Sequence, residues 1–145
     1  DGEGRWLNDG AEITHARTVE LFWQSLARNA QGNYLLRMGK EECPVLLHAT
    51  PYFVRRVEIE AGGVRIGLSD GSEEVLDAET LELVEGRYLH CRVKGGAHEA
   101  RFNRNAYYEM ARCIEESPSA GGYDFRLGER RYPIRIGGSS RAPRR

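Results

Sequence analysis

The chain has 145 residues, of which 40% are hydrophobic and 30% are charged, and its formal net charge is −1. A chain of this length buries roughly 68–70% of the surface that it exposes when unfolded, so a core forms without disulfides or a structural metal ion. No apolar run approaches the ~20 residues of a membrane-spanning helix, which excludes a helical membrane protein; we expect a soluble globular protein that does not bind membranes.

A first helix is predicted over residues 15–29. Ile13 and Thr14 have the pattern of a hydrophobic staple and an N-cap, because a threonine side chain accepts from the free amides of a first helical turn. Apolar side chains then recur at helical spacing, and Gly32 marks the end of the segment. The apolar stripe, which we expect in the core, consists of Val19, Phe22, Trp23 and Leu26.

Strands and turns are predicted after this helix. A hairpin covers residues 34–47, and its apolar residues alternate along both strands. Further strands cover residues 52–76, where Asp70 and Gly71 form the strongest two-residue hairpin signal of the sequence and favour a type I′ turn. Residues 77–86 are predicted to be an acidic connector.

A second block begins at Arg87. Its two strands turn at Gly95-Gly96, and their core face carries Leu89, Cys91, Val93, His98, Ala100 and Phe102. A second helix follows, with Phe102 as staple and Asn103 as N-cap. Its apolar stripe consists of Tyr107, Met110, Ala111 and Ile114.

The hairpin sequence occurs twice, as GNYLLRMGKEECPVLL in residues 32–47 and as GGYDFRLGERRYPIRI in residues 121–136. Each copy follows a predicted helix. Between the two copies, the residue numbers of the helix stripes differ by one less than those of the caps and hairpins do. We therefore expect one residue to be lost near the start of the second helix. It is expected to be regained in residues 117–120.

The repeat predicts an α+β fold made by internal duplication of a helix wrapped by curved antiparallel β-sheet. We place the N-terminal half at residues 1–80 and the C-terminal half at residues 81–136. Residues 137–145, GGSSRAPRR, are predicted to be a disordered basic tail because they are rich in glycine, serine, proline and arginine.

The outward positions of the two hairpins differ. The first hairpin carries Leu35 and Leu46 where the second carries Asp124 and Arg135. We therefore expect the first hairpin to be covered on both faces, and the second to leave one face to solvent or to a cleft. Arg37 and Arg126 occupy equal places in the two copies and point outward, which makes both candidates for the seam between the halves.

Cysteine and charge placement add two expectations. Cys43, Cys91 and Cys113 have no CxxC spacing, so we expect reduced core thiols and a cytoplasmic protein. Residues 56–86 hold nine acids against two arginines, whereas residues 121–145 hold seven arginines against two acids. Such a dipole steers an anionic ligand, or reflects solubility or a contact between the halves.

Two groups of residues carry a resemblance to a known family. The first group is Trp6, Gly10, Ile13, Leu21-Phe22, Gly32, Tyr34-Leu35 and Pro51-Tyr52-Phe53-Val54, and the second is Glu99-Ala100-Arg101-Phe102-Asn103-Arg104 and Tyr107-Tyr108-Glu109. With these residues the chain resembles the bacterial domain of unknown function 1285 family over nearly its whole length to Ile136. The resemblance implies a duplicated α+β core, a C-terminal half like pleckstrin-homology folds, and a binding site between the halves for a nucleotide-like ligand in signalling.

Catalytic and metal-binding motifs are not found in the sequence. There is no GxSxG, P-loop or HExxH, and the Gly-Gly pairs fall at turns rather than between a strand and a phosphate-binding helix. The histidines lack ligand spacing, since His90 and His98 alternate to opposite strand faces. We therefore predict a protein that is not an enzyme and that has no metal site and no cofactor.

The best candidate site combines arginines with the start of the second helix, whose free amides favour an anion. A tyrosine ring there can stack on a base. The predicted ligand-binding residues are Arg37, Arg92, Glu99, Arg104, Tyr108 and Arg126, and the wider cluster also contains Arg101, Tyr107 and Glu109. Structural ion pairs are the competing interpretation, because Arg92 would lie across from Glu99 and Glu109 lies one turn before Arg112.

Two function hypotheses follow. The first is a non-enzymatic ligand-binding or signalling module with an anionic, nucleotide-like ligand between its halves. The second is a protein-interaction domain that uses a sheet edge or the acidic surface of residues 70–86, including Glu73, Glu74 and Glu79. We do not expect nucleic-acid binding, because alternation places Tyr123 and Tyr132 on the core face and removes a stacking platform.

Overall fold

The computed structural model describes residues 2–118 and 121–137. The tail predicted over residues 137–145 lies outside these ranges except for Gly137, which was wrongly assigned to it and is the last residue of a strand. Two helices, fourteen strands and a 3-10 helix (Ala78–Thr80) occur in these ranges. In chain order they are β1 (Leu7–Asn8), β2 (Ala11–Glu12), α1 (Ala16–Ser25), β3 (Leu26–Arg28), β4 (Tyr34–Met38), β5 (Glu41–Pro44), β6 (Tyr52–Glu60), β7 (Gly63–Leu68), β8 (Glu73–Val75), β9 (Glu82–Val84), β10 (Tyr88–Val93), β11 (His98–Phe102), α2 (Arg104–Ala111), β12 (Ile114–Glu116), β13 (Tyr123–Leu127) and β14 (Arg130–Gly137).

A nine-stranded mixed sheet dominates the molecule, which confirms the α+β class. Its strand order is β12-β13-β14-β9-β10-β11-β6-β7-β8, and a separate three-stranded sheet has the order β3-β4-β5. Neighbouring strands are antiparallel, apart from the parallel pairs β11–β6 and β14–β9. Because β6 belongs to the predicted N-terminal half and β11 to the C-terminal half, one sheet and one core cluster join residues of both halves.

The helix and hairpin unit occurs twice with the same strand pairing. Leu35 pairs with Pro44 in the first unit, and Asp124 pairs with Pro133 in the second. Each turn contains a glycine with positive φ, Gly39 or Gly128. Residues that have a Cβ rarely adopt this backbone conformation. The repeated sequence therefore forms the same local structure in both places.

The first helix is shorter than predicted, and its cap is a different residue. His15 rather than Thr14 is the N-cap, and its Nδ1 accepts from the Thr18 backbone N–H at 3.4 Å. The helix ends at Ser25, because Leu26 turns to extended backbone and pairs with Leu36. The apolar stripe is confirmed as core, since Trp23 and Leu26 are buried and the other two residues are half-buried against them.

With His15 as the N-cap of the first helix, the one-residue loss that was expected near the start of the second helix does not occur. His15 and Asn103 stand at the same distance before their helix stripes, so no residue is lost there. The extra residue lies between β12 and β13. In the second helix Ala106 and Met110 are buried, whereas Ala111 is exposed and was wrongly assigned to the core stripe.

Two predictions about loops are wrong. Residues 77–86 are not merely an acidic connector, since they form the 3-10 helix and β9, with Leu81 fully buried. The Asp70-Gly71 turn is not type I′, because only Gly71 has a positive φ; its N–H donates to the Leu68 carbonyl at 3.0 Å.

Exposure of the hairpins also differs from the prediction. Leu35 is buried as expected, but Leu46 is 84% exposed because β5 ends at Pro44, before the residues that were expected to continue it. In the second hairpin Asp124 is buried, and it lies 3.6 Å from the Arg131 guanidinium. Tyr123 is 43% exposed and not part of the core.

The cysteines are all free thiols, but they do not all lie in the core. Cys91 is buried and Cys113 is half-buried. Cys43 was expected inside and is exposed, because it lies on β5, the outer strand of the small sheet. No helix of the described chain is long and apolar enough to cross a membrane.

Candidate functional site: an arginine-rich cleft at the start of α2

A small cleft of about 170 Å³ lies where the N-terminal segment meets β10, β11 and the first turn of α2. Three arginines and three tyrosines line it. They are Arg87, Arg101, Arg104, Tyr88, Tyr107 and Tyr108. Residues that are far apart in sequence therefore bring positive charge and aromatic surface to one place, and we name this site the arginine cleft.

Arg101 lies at the centre of the arginine cleft. Its guanidinium carbon is 3.7 Å from the centroid of the Tyr88 ring, and its Nε donates to Nε2 of His90 at 3.1 Å. A third contact runs from its NH1 to the Gly2 carbonyl at 3.3 Å. Burial lowers the pKa of the Arg101 guanidinium, while the neighbouring Tyr88 and Glu3 act in the opposite direction. An arginine side chain nonetheless keeps its charge in proteins.

Arg87 contacts the same aromatic ring. Its guanidinium carbon lies 4.6 Å from the Tyr88 centroid, so two guanidinium groups are within cation–π distance of one tyrosine. Tyr88 begins β10, and strand alternation places its side chain on the same face of the sheet as that of His90, whose cross-strand partner is Arg101. The ring thus holds two positive charges close together at one wall of the arginine cleft.

The third arginine is set by the start of α2. The Asn103 side chain accepts from the Ala106 N–H at 2.9 Å, which caps the helix, and the Asn103 N–H donates to the Val54 carbonyl at 2.9 Å. Arg104 and Tyr108 are four residues apart on this helix and therefore lie on one face, next to each other. Both are exposed, Tyr108 to 60%, and are available to a ligand.

Two of the six predicted ligand-binding residues, Arg104 and Tyr108, line the arginine cleft. Arg92 and Glu99 are cross-strand partners, as the turn at Gly95-Gly96 predicted. The guanidinium of Arg92 donates to the Gly96 carbonyl at 3.1 and 3.0 Å, and the Glu99 carboxylate lies 3.9 Å from Nδ1 of His90. Neither residue lines the arginine cleft.

The repeated arginines form contacts within their own units. Arg37 binds Glu42 on the facing strand at 2.9 Å, and Arg126 lies 3.5 Å from Glu115. Both are exposed, and neither lines the arginine cleft. The predicted ion pair between Glu109 and Arg112 is confirmed at 3.6 Å.

Sequence reasoning missed Arg87 and Tyr88, and it kept Arg101 only in the wider cluster. The available signal was the alternation Tyr88, His90, Arg92 on β10, which faces Arg101 across the hairpin. Within the described ranges no group of three or more histidine, cysteine or acidic side chains has the geometry of a metal site.

Comparison with known proteins supports a class of fold. No family model matches the sequence, and no curated protein is significantly similar to it. The structure is similar to the crystal structure of a DUF1285 family protein from Silicibacter pomeroyi DSS-3, with a TM-score of 0.67 and 18% identity over 92% of this chain and 76% of that one. A DUF1285 family protein from Shewanella baltica OS155 gives a TM-score of 0.59 and 18% identity over 76% of this chain and 86% of that one. The chain therefore has a DUF1285-like fold, which confirms the resemblance seen in the sequence.

Proposed function

We propose that the protein is a non-enzymatic, cytoplasmic ligand-binding module for signalling, and that it binds a small anionic, nucleotide-like ligand in the arginine cleft. The observation that supports this proposal is that Arg87, Arg101 and Arg104 lie together beside exposed aromatic surface. Guanidinium groups bind phosphate or carboxylate oxygens in pairs of parallel hydrogen bonds, and a tyrosine ring offers a base a stacking surface.

The charge balance of the arginine cleft favours an anion. Three guanidinium groups lie near two carboxylates, that of Glu3 in the wall and that of Glu85, which acts on Arg101, so the cleft keeps an excess of positive charge. The N-terminus of α2 adds the partial positive charge of its first-turn amides. Arg104 and Tyr108 are the residues best placed to contact the ligand directly, because the other two arginines already contact Tyr88.

The two helix and hairpin units support an internal duplication as the origin of the fold. In this proposal the C-terminal half is pleckstrin-homology-like, as the family resemblance implies. Its helix α2 provides the ligand contacts, whereas the equivalent helix α1 packs its aromatic residues into the core. Phe53 and the N-terminal segment form part of the wall of the arginine cleft, which supports a site between the two proposed halves.

Arg104→Ala tests the proposed ligand contact. Adenosine and guanosine monophosphates are titrated by calorimetry, and the midpoint of thermal unfolding is followed in parallel. We expect the wild-type protein to be stabilised and the variant to bind about 10- to 100-fold more weakly, because a hydrogen bond to a charged group contributes roughly 1.5–3 kcal/mol. Tyr108→Ala is expected to weaken binding of the nucleotides but not of inorganic phosphate, since only the nucleotides have a base to stack.

Arg112→Ala is the matched control for this experiment. Arg112 comes directly after the last residue of α2, at the opposite end from Arg104, and pairs with Glu109. Its removal therefore changes the net charge equally but leaves the arginine cleft intact. The proposal fails if neither nucleotide stabilises the wild-type protein at millimolar concentration. It also fails if the Arg104 and Arg112 variants bind equally well.

A protein-interaction domain is the second candidate, and the edge strand β8 is the observation that favours it. β8 is the last strand of the large sheet, and Val75 on it is 67% exposed. Open sheet edges pair with added strands. The acidic surface is less available, because Glu73 binds Arg56 at 3.1 Å and Glu74 accepts from the Lys94 backbone N–H at 3.1 Å.

Val75→Pro tests the sheet edge. Proline removes a backbone donor from β8, so we expect any partner captured by the wild-type chain to be lost, while circular dichroism remains unchanged. Glu79→Lys reverses an exposed charge on the acidic surface and distinguishes the two versions of this candidate. A partner that is retained by both variants argues against the interaction domain.

A further inference from the structure

A buried histidine lies directly beside the central arginine of the arginine cleft. His90 is in the middle of β10, is 6% exposed, and has Arg101 on β11 as its cross-strand partner. Its ring does not line the arginine cleft, whereas Arg101 does. His90 is therefore placed to act on a ligand through Arg101 and not by direct contact.

The hydrogen bond between these two side chains fixes the protonation of the imidazole. Nε of Arg101 lies 3.1 Å from Nε2 of His90, and the guanidinium group can only donate. Nε2 must therefore be the accepting nitrogen and carries no proton. A doubly protonated ring has no acceptor, so His90 is neutral, and its one ring proton is on Nδ1.

A carboxylate faces the other nitrogen of the ring. Nδ1 of His90 is buried and has no hydrogen-bond partner in the described chain, but Oε2 of Glu99 is 3.9 Å away. The Glu99 side chain is only 11% exposed, so its negative charge is weakly screened by water. Although 3.9 Å is longer than a direct hydrogen bond, this charge favours a proton on the nitrogen that faces it. Glu99 thereby stabilises the form of His90 that accepts from Arg101.

These contacts determine which part of Arg101 is offered to a ligand. Nε donates to His90, and Nη1 donates to the Gly2 carbonyl at 3.3 Å. The guanidinium also stacks on the Tyr88 ring at 3.7 Å. Within residues 2–118 and 121–137 its hydrogen bonds therefore leave Nη2 for a ligand oxygen. A guanidinium that is already held in place loses little side-chain freedom on binding, which favours affinity.

We infer that His90 is a positioning residue of the arginine cleft: Glu99 stabilises the ring proton on Nδ1, and Nε2 orients Arg101 so that its Nη2 binds an oxygen of the anion. The inference rests on the proposed function, because it concerns the same site. It adds that the group recognised beside Arg101 is a compact oxyanion, such as sulfate or a terminal phosphate, bound at the outer end of the guanidinium.

The protonation of His90 is measured first, on the ligand-free wild-type protein near neutral pH. Long-range proton–nitrogen NMR correlations show which ring nitrogen of a histidine carries the proton. We expect Nδ1 of His90 to carry it and Nε2 to be without one. The chain has four histidines, and the signals that disappear in His90→Gln are those of His90.

His90→Leu and His90→Gln then test the effect on binding. Leucine removes the acceptor, whereas the glutamine side-chain oxygen accepts from Nε of Arg101 in place of the imidazole. With sulfate as the probe, titrated by NMR, we expect His90→Leu to bind about three- to tenfold more weakly than the wild type, the effect of one net hydrogen bond. His90→Gln should recover most of this loss. His48→Leu is the matched control, because His48 is exposed and does not line the arginine cleft.

Glu99→Leu tests the second residue of the inference. It removes the negative charge that faces Nδ1 and keeps a side chain of similar bulk. We expect part of the His90 population to carry its proton on Nε2 in this variant, and sulfate binding to weaken. An unchanged proton position in Glu99→Leu would overturn the role assigned to Glu99.

Three results would overturn the role of His90. The first is a proton on Nε2 in the ligand-free wild type, which needs no variant and so decides the matter even if His90→Leu fails to fold. The second is that His90→Leu binds sulfate as tightly as His48→Leu. The third is that His90→Gln binds as weakly as His90→Leu, which would indicate a purely structural role. These results overturn the inference alone, whereas a wild-type protein that binds neither sulfate nor nucleotides would overturn the proposed function as well.

Discussion

Phe125→Ala is expected to lower the free energy of unfolding by about 3–5 kcal/mol, the range for a buried phenylalanine. Phe125 lies in the middle of β13, is 0% exposed, and pairs with Ile114 on one side and Tyr132 on the other. Removing the ring leaves a cavity in the core on one face of the large sheet, beside the Tyr132 ring. Denaturation in urea measures the loss directly, as the shift in midpoint multiplied by the slope.

Tyr123→Ala is the matched control, because it removes an aromatic ring from the same strand. Its side chain is 43% exposed, so we expect a loss well below that of Phe125→Ala. Phe125→Leu should recover a large part of the stability, since most of the volume is restored. Equal losses at Phe125 and Tyr123 would show that β13 does not pack as described.

The elements that the sequence predicted well depend on neighbouring residues. Gly39 and Gly128 fix the two hairpin turns, and the turn at Gly95-Gly96 fixes the register of Arg92 and Glu99. The same holds for the part of the site that was found, because Arg104 and Tyr108 are one helical turn apart. Local chemistry is sufficient for such features.

The errors arise where long-range contacts decide the structure. Leu26 continues the helical spacing of α1 but begins β3, because its backbone finds a partner strand. Leu81 lies in an acidic stretch that resembles a connector, yet β9 pairs in parallel with β14, more than fifty residues later in the chain. No periodicity in the sequence reports such a pairing.

The site shows the same division. Arg37 and Arg126 were linked by the repeat, but equal places in two copies are not neighbouring places in space, and each arginine binds an acid of its own unit. Arg87 reaches the arginine cleft only because β10 and β11 bring Tyr88 beside Arg101. The similarity between the copies therefore identified positions that shape the fold, whereas tertiary contacts bring the residues of the candidate site together.

Acid is expected to destabilise the protein through His98, where the small sheet meets the large one. The Tyr34 hydroxyl on β4 lies 2.5 Å from Nδ1 of His98 on β11, and the Tyr52 ring is 5.2 Å from the imidazole. Burial lowers the pKa of His98 below the usual histidine value of 6.5, and the positive charges of Arg28, Lys94 and Arg92 act in the same direction. The folded state therefore favours the neutral imidazole.

The direction of the pH effect follows from proton binding. Between the folded pKa of His98 and 6.5, the unfolded chain binds more protons at this residue than the folded chain, so the free energy of unfolding falls as the pH is lowered through this window. Above pH 6.5 the contribution of His98 is fully present. Urea denaturation between pH 8 and pH 5, compared with His98→Gln, isolates it, because the other titrating groups occur in both proteins.

As the pH is lowered, we expect the free energy of unfolding of the wild-type protein to fall relative to that of His98→Gln. A difference that is constant with pH would mean that His98 is as well solvated when folded as when unfolded. Tyr34→Phe provides a check on position, because it keeps the ring over the junction and removes only the hydroxyl beside Nδ1. If the acid sensitivity comes mainly from burial and the three positive charges, it should persist in this variant, since each of them remains in place.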